Sequence, residues 1–115
     1  MNIKFKNILL FIYFSNLIWT QNWELVWYDE FGSNGEINSE NWFHQTQLPL
    51  GGSWYNGEIQ HYTNRTENSY VSNGTLKIVA KKEQYIFRGI TKNYTSARLN
   101  SKYAFKYGRV DIRAK

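Results

Sequence analysis

The sequence predicts an all-β chain, a sandwich or barrel of short strands, and three observations carry that prediction. Apolar and polar residues alternate with period two, as where Leu76, Ile78 and Ala80 take one side and Lys77 and Lys81 the other. That repeat sends successive side chains to opposite faces of a sheet. Turn signals rich in glycine and asparagine separate the runs at the spacing of about 8–12 residues that marks sandwiches and barrels. No window from residue 21 onward has the spacing of an amphipathic helix; the one short candidate is "NSENW", where Ser39 would cap a single turn ending at Trp42.

Residues 1–20 have the layout of a secretory signal peptide. Lys4 and Lys6 stand at the start, no acid precedes Glu24, and an apolar run from Ile8 to Phe14 is broken at Ser15-Asn16 before Leu17, Ile18 and Trp19. The run suits the apolar region of about 7–15 residues in such leaders and is too short for a spanning helix, which needs about 20. Ile18 and Thr20 match a small-x-small cleavage pattern poorly, and the cut is expected near Gln21. The mature chain, residues 21–115, is then secreted, periplasmic or on the cell surface, without membrane contact after cleavage.

Along the mature chain the first strand is expected in "WELVWYDEF" (23–31), with Trp23, Trp27 and Phe31 in the core and Gly32-Ser33-Asn34-Gly35 as the turn after it. Gly51-Gly52-Ser53 introduces "WYNGEIQHYT" (54–63), and Ser72-Asn73-Gly74 opens "GTLKIVAKK" (74–82), whose Leu76 and Ile78 are assigned to the core. "TSARLNSK" (95–102) alternates less cleanly. Lys106-Tyr107-Gly108 leads into "GRVDIRAK" (108–115), where Val110, Ile112 and Ala114 alternate with Arg109, Asp111 and Arg113. The alternation is unfinished at Lys115, and about five or six strands would leave a sheet face and several edges uncovered. The expectation is part of a larger domain.

Charge is unevenly spread. Net charge is +5, but residues 21–74 carry seven acids against Arg65 alone, and residues 75–115 carry eleven bases against Glu83 and Asp111. The bases alternate with apolar residues as on the wet face of a sheet, which argues against a nucleic-acid partner. There is no cysteine, so core packing or a hard cation, not disulfides, must stabilise an exported chain. Asn64, Asn73 and Asn93 head glycosylation sequons that matter only in a glycosylating host. His44 and His61 lack the neighbours of a metal site or triad and read as solvated or hydrogen-bonded rings.

Aromatic residues make up 18% of the chain, more than a small core needs, and Trp42, Trp54, Tyr55, Tyr62, Tyr70 and Tyr94 stand beside Asn, Gln or Gly. Such rings can stack on the C–H face of a pyranose while amides and charged groups pair with its hydroxyls. Strands also favour aromatics for themselves, and composition alone leaves both readings open.

Five stretches in order shift the balance: "WELVWYDEF" (23–31), "WYNGEIQHYT" (54–63), Asn73-Gly74-Thr75-Leu76-Lys77-Ile78, "YTSARLNSK" (94–102) and "FKYGRVDIRAK" (105–115). Each is unspecific by itself. Together they resemble the N-terminal part of glycoside hydrolase family 16, its laminarinase-like (β-1,3-glucanase) members above all. The resemblance covers residues 23–115 and less than half of the family's domain. It implies a two-sheet antiparallel β-sandwich, a concanavalin-like jelly roll, of which only the N-terminal part is present.

The resemblance also implies a site. The family's catalytic signature, E-x-D-x-x-E, places two carboxyls on one strand face by a one-residue bulge, about 5–5.5 Å apart as retaining hydrolysis requires. No such trio occurs in residues 1–115, and the adjacent pair Asp29-Glu30 would face opposite sides of a strand, so no catalytic residue is assigned. Four residues are assigned to substrate binding. Arg98 matches the family arginine that holds a glucosyl unit on the non-reducing side, and its guanidinium fork suits paired hydroxyls. Asn56 matches a sugar-contacting asparagine, although Tyr55 stands where the family usually has glycine. Trp54 is read as a stacking ring or a core residue, and Glu58 as holding Arg98 or capping a loop. Glu30 and the carbonyl of Gly74 match two ligands of a structural calcium that many members hold, the third ligand being absent from these residues.

The implied function is that of a secreted retaining endo-β-glucanase acting on laminarin-like β-1,3-glucans, with this chain supplying part of the sugar-binding cleft and inactive alone. The expected partner is β-glucan polysaccharide, and the expected state is a monomer. The alternatives are a non-catalytic glucan-binding protein on the same sandwich, or a related hydrolase of agar, carrageenan or mixed-linkage glucan.

Overall fold

A computed structural model describes residues 22–114, so the leader expected over residues 1–20 and its cut near Gln21 lie outside the described residues. Seven strands run in chain order among them: β1 Trp42–His44, β2 His61–Tyr62, β3 Ser69–Ser72, β4 Thr75–Ile78, β5 Lys81–Phe87, β6 Ile90–Ser96 and β7 Leu99–Ser101. They form three small sheets with the orders β1-β7, β2-β6-β5 and β3-β4. The chain is all-β, as its periodicity predicts. Pairing is antiparallel except between β2 and β6, which run parallel with His61 opposite Thr95.

Two hairpins share one turn geometry. Asn73 and Gly74 join β3 to β4 with φ of 51° and 66°, and Arg88 and Gly89 join β5 to β6 with φ of 51° and 78°. Positive φ at both turn residues matches the twist of the flanking strands. The strand read as "GTLKIVAKK" is in fact broken between β4 and β5. Asn68 takes hold of the backbone there: its carbonyl accepts from Val79 N at 2.8 Å, and its Nδ2 donates to the Val79 carbonyl at 3.1 Å. The chain changes sheets at that grip.

The same Asn68, fully buried, centres a polar cluster. Its Oδ1 accepts from Thr63 Oγ1 at 2.5 Å and from Arg65 Nη2 at 3.0 Å, and its Nδ2 also donates to Thr95 Oγ1 at 3.0 Å. Arg65 and Thr95 in turn both donate to Glu83 on β5. A bulge between Lys82 and Tyr85 adds one residue to β5 at this point. Arg65 also lies over the Tyr85 ring, 4.8 Å from its centroid. Polar groups that hydrogen-bond one another in this way tie the 63–68 loop to β5, β6 and the β4–β5 connection.

The flanking segments behave differently. "WELVWYDEF" and "GRVDIRAK", read as strands, pair with nothing regular among the described residues. Trp23, assigned to the core, is 53% exposed, and so is Ile78, because no second sheet covers the β3–β4 hairpin among the described residues. Trp27, Phe31 and Leu76 are half-buried. Trp27 meets Trp42 edge-on at 5.3 Å and stacks on Tyr103 at 6.3 Å, while Phe31 stacks on Trp42 at 6.1 Å. Asp29 fastens this cluster: its Oδ2 accepts from Trp42 Nε1 at 2.8 Å and Asn41 Nδ2 at 3.2 Å, and its Oδ1 from Phe31 N at 2.8 Å. The turn before Trp42 closes on Asn38, not Ser39. The Asn38 carbonyl accepts from Trp42 N at 3.0 Å and its Oδ1 from Glu40 N at 2.9 Å.

Candidate functional site

Arg98 stands where the chain leaves one sheet for another. β6 ends at Ser96 and β7 begins at Leu99, so Ala97 and Arg98 form the corner. Two backbone bonds clamp it: Thr63 N donates to the Ser96 carbonyl, and Gln45 N to the Arg98 carbonyl, each at 2.9 Å. The exposed side chain then lies over a pair of rings. Its guanidinium carbon is 5.4 Å from the Trp54 ring centroid and 6.0 Å from that of Tyr62. The two rings meet edge-to-face at 4.9 Å. A guanidinium over aromatic faces gains about 0.5–1 kcal/mol at exposed sites and keeps its donors pointed outward.

Trp54, read as a stacking ring or a core residue, is only 5% exposed. It is a bed for Arg98 and Tyr62. Its Nε1 is buried with no acceptor among the described residues.

Glu58 does not pair with Arg98 among the ion pairs of the described residues. Its Oε2 accepts from Tyr62 Oη at 2.9 Å and from Gln60 Nε2 at 3.0 Å. Burial first, and the Glu58 carboxylate second, push the Tyr62 phenol above its ordinary pKa, while the charge of Arg98 pulls the other way. Tyr62 therefore stays protonated and donates. Glu58 fixes Tyr62, and Tyr62 supports Arg98, so the link foreseen between Glu58 and Arg98 runs through a ring. Trp54 and Glu58 also border a recess of about 540 Å³ that reaches Lys92 and Tyr94 on β6.

Asn56 is a turn residue first. It has φ of 61° and Gly57 has 73°, and the turn closes from Glu58 N to the Tyr55 carbonyl at 3.4 Å. Asparagine is one of the few side chains at ease in that region. The structure brings Trp54, Glu58 and Arg98 together and leaves Asn56 exposed on the adjoining turn. Gln60 was missed as a site residue, and Tyr62 was named only among the rings that could stack on a sugar. Glu58, Gln60 and Tyr62 are spaced by two, and that spacing puts all three on one face of an extended segment.

The two histidines are both hydrogen-bonded. His44 Nε2 lies 2.8 Å from Ser69 Oγ, with burial holding its pKa below the ordinary value. His61 Nε2 donates to the Ile90 carbonyl at 2.9 Å. Glu30 Oε2 accepts from Arg113 Nη2 at 2.5 Å, and among the described residues no three His, Asp or Glu side chains gather as ligands. Gly74 lies in the β3–β4 turn, which Asn34 Oδ1 ties to the 32–35 segment through Asn73 N at 2.9 Å.

No family model matches the chain. Individual proteins do. LamA of Zobellia galactanivorans, solved in complex with laminaritriose and laminaritetraose, is 61% identical with a TM-score of 0.70, over 71% of this chain and 33% of that one. A non-specific endo-β-1,3(4)-glucanase from family 16 is 35% identical with a TM-score of 0.60, over 66% of this chain and 29% of that one. A β-glucanase from Rhodothermus marinus is 44% identical over 98 residues, 82% of this chain and 32% of its own length. The chain spans from 12% to 38% of the length of the curated relatives it matches. The strand pattern and this set of relatives agree with the motif order in the sequence: the chain belongs to glycoside hydrolase family 16, among its laminarinase-like members.

Proposed function

We propose that these residues form part of the glucan-binding cleft of a secreted, retaining endo-β-1,3-glucanase, and that Arg98 holds a glucosyl unit there. The observation that carries this reading is the guanidinium laid over Trp54 and Tyr62 at the β6–β7 corner, with Tyr62 fixed by Glu58. Its five donors present a fork that two neighbouring sugar hydroxyls can accept from. Asn56, exposed on the turn that follows Trp54, supplies a sugar-contacting amide on this reading. The residues that break the glycosidic bond lie outside these 115 residues on this reading, and the chain alone binds without cleaving. A structural calcium using Glu30 and the Gly74 carbonyl, with its remaining ligands outside these residues, belongs to the same proposal as what the family resemblance implies. A drop in melting temperature of the full-length protein on chelation would support it.

The test is hydrolysis by the full-length protein of laminarin against mixed-linkage glucan, agar and carrageenan. Release of reducing ends from laminarin above the others is expected, and Arg98→Ala should lower kcat/KM about 30- to 100-fold, the scale of one charge-assisted pair of hydrogen bonds. Preference for a sulfated polysaccharide would replace the laminarin reading. A frame continuing past Lys115 without Glu-x-Asp-x-x-Glu, with glucan binding intact, would replace the enzyme with a non-catalytic binder. The absence of a paired catalytic acid motif from these residues is what keeps that second reading in view.

A further inference from the structure

We infer that the Asn56-Gly57 turn is a site of spontaneous covalent modification, where the asparagine deamidates and leaves aspartate or isoaspartate just ahead of Glu58. The chain holds three Asn-Gly pairs, Asn34-Gly35, Asn56-Gly57 and Asn73-Gly74. Glycine has no side chain to shield its nitrogen, so all three are open to one reaction. The Gly57 nitrogen gives up its proton to solvent and attacks Asn56 Cγ. A new C–N bond closes a cyclic imide, and Nδ2 takes up a proton and leaves as ammonia. Water then opens the imide. Breaking the Cγ–N bond gives aspartate, and breaking the bond from the Asn56 carbonyl carbon to that nitrogen gives isoaspartate, whose backbone runs through the side chain. An amide and water become a carboxylic acid and ammonia, with no oxidant or reductant.

All six residues are exposed, so access to water does not rank the pairs. Their tethers do. Gly35 N donates to the Val71 carbonyl at 2.9 Å, and Val71 N returns a bond to the Gly35 carbonyl at 2.8 Å. Asn34 Oδ1 accepts from Asn73 N at 2.9 Å, so the attacking nitrogen and the amide it would attack are both engaged. Asn73-Gly74 is the turn between the paired residues Ser72 and Thr75, and the ladder on both sides resists the rotation that brings the glycine nitrogen over Cγ. Gly57 N makes no hydrogen bond among the described residues, and one long bond of 3.4 Å closes its turn. No strand pairing borders that turn, which lies in the irregular stretch between β1 and β2. On the functional reading above, the product loses the amide assigned to sugar contact, but the modification does not depend on that reading.

The experiment ages the full-length protein at mildly alkaline pH, folded and in denaturant, and maps each pair by peptide mass spectrometry. Isoaspartate is labelled with a protein isoaspartyl methyltransferase. In the folded protein Asn56 should react first. Asn34 should react about tenfold or more slowly, because the two bonds at Gly35 must open beforehand. Asn73 should fall between them. In denaturant the three should react at similar rates, since glycine follows each. Asn34 or Asn73 reacting as fast as Asn56 in the folded protein overturns the proposal. So does an Asn56 that stays intact while the unfolded chain reacts, or a ranking that is the same in both states. Each outcome is read whether or not the protein binds glucan, so failure here leaves the cleft reading standing.

Discussion

Residues 61–96 and the flanking segments 22–31 and 103–114 look alike as sequence, since both alternate apolar and polar residues, yet only the first becomes a sheet. The difference lies in what else each region contains. The central region carries Asn68, Thr63 and Thr95, buried, with Arg65 and Glu83 half-buried beside them, side chains that hydrogen-bond one another and so fix the register of the strands around them. The flanking segments carry rings and one fastening carboxylate, Asp29, and leave Leu25, Val26, Tyr107, Val110 and Ile112 more than half exposed. Alternation alone proposes strands; partners decide which ones form.

The strongest way to break this contrast is to remove its centre. Asn68→Ala would strand the Thr63 hydroxyl and the Val79 carbonyl and loosen Arg65, three groups in a site where Asn68 is fully buried. At about 1–3 kcal/mol for each buried polar group left without a partner, the expected loss is about 3 kcal/mol, read as the denaturant midpoint of the full-length protein. A loss near zero would mean that the cluster does not organise the sheet. Trp42→Phe is the matching cut in the flanking region. It keeps the ring stack and removes the donor to Asp29, and a hydrogen bond to a charged group argues for about 1.5 kcal/mol. A cost equal to that of Asn68→Ala would erase the distinction between the regions.

Acid compares the same two regions through their carboxylates. Burial alone would raise the Asp29 pKa, but hydrogen bonds from Phe31, Trp42 and Asn41 outweigh it and hold the group below its ordinary value. Glu83 is held low by hydrogen bonds from Thr95 and Arg65, against a smaller contribution from burial. For a carboxylate whose folded pKa is depressed, the stabilisation is fully present above its unfolded value of about 4 and is lost as pH falls through the lower folded one. Melting temperature followed downward from about pH 6 should therefore fall less steeply in the acid range for Glu83→Gln than for the parent. Asp29→Asn should flatten the same limb separately. An unchanged acid slope in both variants would show that neither group is ionised and paired in the folded state.

Much of this was legible in the residues. Period two gave the strands around Thr75–Ile78 and Leu99–Ser101, and the order of five motifs gave the family, because turn and strand spacings are local. The Arg98 site was found from its motif, but its construction was not. Trp54 beneath the guanidinium depends on a contact across 44 positions (98 − 54), which no periodicity reports. The break at Val79 was illegible for the same reason, since the side chain that causes it, Asn68, lies 11 positions earlier. Trp23 and Ile78 were misread because a strand's apolar face predicts burial only if a second layer arrives to cover it.

The smallest expected effect tests whether the flanking segments are held together by charge. Arg113 and Glu30 pair at 2.5 Å across 83 positions of sequence, the longest-range side-chain bond among the described residues. Sequence separation alone would make it a staple between the two segments. Exposure argues otherwise: the side chains are 88% and 66% open to solvent, so the attraction is screened and two long side chains must be ordered to make it. Arg113→Gln should cost about 0.5 kcal/mol or less, shrinking further at high salt, against the larger loss from Trp42→Phe. The aromatic contacts of Trp27 with Trp42 and Tyr103 would then be the joint between the segments, with the ion pair marking their proximity without enforcing it. A salt-sensitive loss as large as that of Trp42→Phe would reverse the assignment and make charge the fastening.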